Sequence, residues 1–119
     1  MGVRDSSGGL AGVIAVSSGA DVYAPSLTYL LAMAGAAFAV WIGTWQEKKM
    51  RVDDAVGAVA VHGWTGMLGV LFMGIFASGY PTGGFSGNVR VTILGQLVGI
   101  ATLIPLAFLS GYVISWLLK

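Results

Sequence analysis

With 56% of its 119 residues hydrophobic and only 9% charged, the chain cannot supply the polar surface that a water-soluble core of this size needs. Six basic against five acidic side chains leave a net charge of +1, too small a field to collect nucleic acid. Cys is absent and His62 is the single histidine, which excludes disulfides, thiolate metal sites and cysteine nucleophiles and leaves no metal centre to be expected.

The start Met1-Gly2-Val3-Arg4, followed by the apolar stretch Leu10 to Val16, has the outline of a signal peptide, and Met1-Gly2 with Ser6 fits the loose myristoylation pattern. We expect neither to be processed and Met1 to be retained. Residues 10–19 are apolar but too short to span a bilayer and end in a Ser/Gly/Asp turn, so they are expected to form a half-helix. It would lie on or dip into the membrane, or be buried against a partner.

Residues 26–45 carry no charge and, at 1.5 Å per residue, are long enough to cross a hydrocarbon core of about 30 Å. Pro25 and Ser26 suit the opening turn, and Trp41 and Trp45 suit a headgroup belt near the other end. Residues 46–54 form a charged loop. Residues 55–77 make a second span whose N-terminus carries Asp53 and Asp54, acids placed to cap free N–H groups and face the positive end of the helix dipole.

Residues 78–90 are rich in Gly and read as a loop. Residues 91–118 form a third uncharged stretch, longer than a bilayer needs, with Pro105 as a point of kinking. The fold class is therefore an all-α integral membrane protein of three transmembrane helices plus a short N-terminal half-helix. Lys48, Lys49 and Arg51 outnumber Arg90 across the two loops. The first loop and the C-terminus are thus expected on the cytoplasmic or matrix side and the N-terminus opposite.

Gly63, Gly66 and Gly69 recur at helical spacing in the second span, and Gly95 and Gly99 form a GxxxG pair in the third. Small residues let membrane helices approach closely, so all five are expected at helix packing contacts. His62, about two turns inside its span, is an ionisable group where such groups are costly. It can hydrogen-bond a facing hydroxyl, line a polar path, or ligate a pigment or haem, for which Ala58 one turn earlier leaves room. Nucleophile–base pairs and carboxylate clusters beyond the Asp53–Asp54 pair are absent, so no enzyme activity is expected.

The run Arg51 to Gly69, reading RVDDAVGAVAVHGWTGMLG and continued by Gly74-Ile75-Phe76-Ala77, resembles the penultimate-helix signature of the ammonium transporter family. The acid pair, the VHG and the following glycines all fall at the family's spacing. Gly9 to Ala15 and Ala20 to Ser26 are similar to an upstream segment of that family, and Gly95-Gln96-Leu97-Val98-Gly99 to the Q-x-x-G of its final helix. Ala55, Gly57 and Ala60 depart from the common proline, second Asp and Gly or Pro.

The resemblance implies the last third of a transporter whose protomer has about eleven helices in two inverted repeats, with the conduction path between them. It places His62 as the second of two pore histidines. Three helices cannot enclose such a path alone, so autonomous transport is not expected. The first expectation is a structural or accessory subunit docked on other transmembrane proteins and lipid in a larger complex. The alternatives are one half of a split ammonium channel with His62 lining the pore, and a pigment or haem contact through His62.

Overall fold

A computed structural model describes residues 3–51, 54, 57–81 and 89–119, with the side chains of residues 3–6 left aside. The described chain is helical: α1 (Val3–Ser17), α2 (Pro25–Met50), a π-helical turn (Val59–Trp64) running directly into α3 (Thr65–Phe76), and α4 (Ile93–Leu117). Three stretches, Pro25–Met50, Val59–Phe76 and Ile93–Leu117, are long and apolar enough to cross a membrane. The chain is an integral membrane protein.

The short N-terminal element is a 15-residue helix, which starts well before the residues 10–19 expected for it. Ala11 and Ala15 are fully buried against α2 and α3, while Leu10 and Val13 face outward. The neighbour that covers the inner face is the chain's own pair of long helices. Hydrophobicity alone missed the first turns because Arg4, Asp5, Ser6 and Ser7 are polar; a helix end that projects past the apolar layer can carry them.

Backbones meet through the smallest side chains. A Cβ on Gly35 would collide with that of Ala15, one on Gly12 would lie 2.9 Å from the Ala32 carbonyl oxygen, and one on Gly69 would lie 2.7 Å from that of Ala15. Gly74 meets α4 in the same way, its added Cβ falling 2.9 Å from the Ile93 Cα. Beside these contacts Val16, Tyr23, Leu31 and Ala77 form one buried cluster and Ala11, Ala39 and Val61 another.

Residues between α1 and α2 turn on Gly19, whose carbonyl accepts from the Val22 and Tyr23 amides. The Tyr23 ring lies over Gly19 so closely that a Cβ there would enter it. Ser18 Oγ donates to the Gly69 carbonyl at 2.9 Å and ties this turn to α3.

Helix α2 opens with extended Ala24 and then Pro25, whose missing N–H costs nothing in a first turn. It continues past Trp45 to Met50 and closes at Arg51 in the left-handed region, with φ 53°. Glu47, Lys48 and Lys49, expected in a loop, thus occupy its last turn, where Lys48 and Lys49 face the negative end of the helix dipole.

At the second connection Gly79 and Val91 pair: the Gly79 amide donates to the Val91 carbonyl at 2.7 Å, and Arg90 Nη1 donates to the Gly79 carbonyl at 2.9 Å. The glycines at 83, 84 and 87 lie outside the described residues. Thr92 Oγ1 accepts from the Gly95 amide and caps α4, which runs through Pro105 as one helix. From Ala101 onward every α4 residue is exposed, because this helix touches only α3 and only near its start.

A Gly69→Leu substitution forces α1 and α3 apart and should lower stability by about 1–3 kcal/mol. Gly99→Leu, whose Cβ meets nothing within 4 Å, should leave it nearly unchanged. Thermal unfolding in detergent, followed by circular dichroism, checks the pair.

Candidate functional site

His62 sits in the middle of the π-helical turn. A π turn carries an extra residue and bonds i to i+5, a geometry seen chiefly as single turns and frequently at functional sites. Here the Thr65 amide reaches back to the Ala60 carbonyl, and Thr65 Oγ1, fully buried, donates to that same carbonyl at 2.9 Å. The doubled donation to one oxygen holds the wide turn in place.

The start of the turn is held by Asp54. Its Oδ2 accepts from the Val59 amide at 2.9 Å and the Ala60 amide at 3.0 Å. Before it, the Gly57 amide donates to the Asp54 carbonyl, and Gly57 takes φ +70°, a conformation that a second Asp at this position would adopt only with strain. Asp53, the other acid of the pair, lies outside the described residues.

A third hold comes from α2. Trp64 Nε1 donates to Gln46 Oε1 at 2.8 Å, and the Trp64 ring meets Trp45 edge to face with centroids 6.5 Å apart. Gly43 lets α2 come close, since a Cβ there would lie 3.3 Å from that of Ala60. Gln46, Trp64 and Thr65 were not singled out from sequence. Gln46 stands immediately before a run of charges and reads as loop, and nothing in the sequence marks a π turn.

The imidazole points away from these supports. His62 and Gly63 are exposed, and a Cβ on Gly66, one turn further, would meet nothing within 4 Å. Of the five glycines expected at packing contacts, Gly69 lies against α1 and Gly95 beside its own cap residue Thr92. A Cβ on Gly63, Gly66 or Gly99 would meet no other helix among the described residues. His62, Gly63 and Gly66 therefore form a low, open face on which the imidazole, with one N–H donor and one acceptor nitrogen, is the polar group. Among the described residues no group of His, Asp and Glu side chains converges as a metal site would require.

The fold and site define an integral membrane domain of three spans that displays a histidine on an open small-residue face behind an acid-capped turn. Residues 3–119 match the Ammonium Transporter Family, and the chain is a member of it. It is 31% identical over 123 residues to the ammonium transporter Amt2 of Archaeoglobus fulgidus, covering 95% of this chain and 26% of that protein. It is 31% identical to the ammonium transporter of Corynebacterium glutamicum over 117 residues, covering 94% and 25%. The ammonium transporter of Bacillus subtilis is 31% identical over 113 residues, covering 91% and 28%. The chain thus spans about a quarter of the length of these relatives. No solved structure matches it.

Removing the Asp54 carboxylate in Asp54→Ala uncaps the turn, which should cost about 0.5–2 kcal/mol. Hydrogen exchange at the Val59 and Ala60 amides should speed up while amides in the middle of α2 keep their protection; equal loss in both places would mean that the carboxylate supports the whole bundle instead.

Proposed function

We propose that this chain contributes one wall of an ammonium conduction path, with His62 exchanging hydrogen bonds with the passing species. Further transmembrane helices, in this or another chain, would cover its open faces. One observation carries this reading: the chain holds a π turn in place from three sides, and the polar side chain that this turn leaves exposed is the histidine. Membership of the family supplies the substrate class, since the relatives it matches are named ammonium transporters. Lys48, Lys49 and Arg51, gathered at the end of α2, favour placing that end on the cytoplasmic or matrix side.

A second reading, a structural or accessory subunit docked in a larger membrane complex, is favoured by α4. Phe108, Tyr112 and Trp116 follow one another at helical spacing and are 77%, 73% and 67% exposed, a face that helices or lipid would have to cover.

The two readings part on His62. If the imidazole contributes one hydrogen bond of about 1 kcal/mol to the passing species, His62→Ala should cut methylammonium uptake roughly fivefold in membranes carrying the native assembly. Unchanged uptake with the assembly intact would leave the accessory role.

A further inference from the structure

We propose that Gln46 is a positioning residue for His62, acting through Trp64, and that the Gln46–Trp64 bond keeps the imidazole turned toward the path. The inference rests on the transport reading for its consequence, but its geometry is independent of it.

The first observation is the cost of Gln46. Its side chain is 2% exposed, and its Nε2 is buried with no hydrogen-bond partner among the described residues. A buried amide donor left unpaired is destabilising, and an apolar side chain of similar length would fill the same space without that loss. Only the amide oxygen is used, and it is used once, by the Trp64 indole at 2.8 Å. If the amide serves a purpose, that bond is the purpose.

The second observation is where the bond acts. Trp64 and His62 are two residues apart, which on a helix places them roughly half a turn from each other. Trp64 faces α2, half-buried between Gln46 and Trp45, and His62 faces the open side. Fixing the indole therefore fixes the roll of the turn about its axis, and with it the direction of the imidazole.

The third observation is that this turn has somewhere else to go. A π turn differs from the α-helix around it by one residue, so relaxing it to the α register swings its side chains around the axis by about 100°. Two of its holds are local: Asp54 reaches five and six residues along the chain, and Thr65 five back. The Gln46–Trp64 bond bridges 18 residues and is the hydrogen bond among the described residues that ties the turn's side chains to another helix.

His62 is the only histidine in the sequence, so its orientation can be read directly from its modification by diethyl pyrocarbonate, located by mass spectrometry, in the native assembly. Gln46→Met removes the acceptor and keeps the volume, Trp64→Phe removes the donor, and Gln46→Glu keeps an acceptor oxygen. Losing one hydrogen bond should shift the His62 modification rate roughly fivefold in Gln46→Met and in Trp64→Phe, with no further shift in the double variant. Gln46→Glu should retain most of the wild-type rate.

Methylammonium uptake is measured in the same preparations. It should fall with the first two substitutions and should not fall further when either is added to His62→Ala. Unchanged modification in both Gln46→Met and Trp64→Phe, at normal recovery of the assembly, overturns the proposal. Equal loss of uptake with and without His62 also overturns it, since that marks Gln46 as general packing. A shifted modification rate with uptake indifferent to His62→Ala upholds the positioning role and removes the transport reading instead. Should Gln46→Met fail to assemble, Trp64→Phe against Gln46→Glu decides the matter with the same two readouts.

Discussion

The arrangement depends on the close approach of α1 to both long helices. Lipid chains are as apolar as leucine, so burying apolar surface gives membrane helices little reason to associate, and contact depends on how near the backbones come. Ala15 serves both sides at once, facing Gly35 on α2 and Gly69 on α3. A larger residue at any of these three positions moves two helices, not one. The spacing between α2 and α3 that α1 sets is what brings Gly43 within reach of Ala60 and Gln46 within reach of Trp64.

Polar groups then complete what the small residues begin. Inside a membrane a polar side chain is expensive unless paired, and several here bond backbone groups at turns and helix ends. Asp54 satisfies two amides at the start of the π turn, Thr65 doubles the donation to Ala60, and Ser18 joins the α1–α2 turn to α3. The Asp54 and Thr65 bonds bracket the turn where the span departs from α geometry. The departure itself is costly, and the density of side-chain bonds around it is the local compensation.

Much of this was legible in the sequence, for physical reasons that also explain the rest. Charge-free stretches of bilayer length reveal spanning helices because few other environments accept them, and Asp54 before Ala58 marked a helix start because N-terminal amides need acceptors. The VHG with its glycines brought the family into view. The polar beginning of α1 was hidden, because hydropathy stops where the apolar layer stops while the helix does not. The extension of α2 to Met50 was hidden for the same reason, and Gln46 with it. The π turn left no trace at all: it is decided by where Trp64 and Thr65 find partners, and those partners lie on other parts of the fold.

Small residues here fall into two groups that the recurrence of glycine alone does not distinguish. Gly69 belongs to the series Gly63, Gly66, Gly69, yet it alone of the three is pressed against another helix of the chain. Gly66 and Gly69 both lie in α3, beyond the π turn, and residues three apart on an α-helix point about 60° apart, so successive members of the series face progressively different sides. Gly69 packs and Gly63 and Gly66 remain open beside His62. The widened turn lies between the Asp54 cap and the Gly69 contact, and one continuous span both exposes His62 and packs against Ala15.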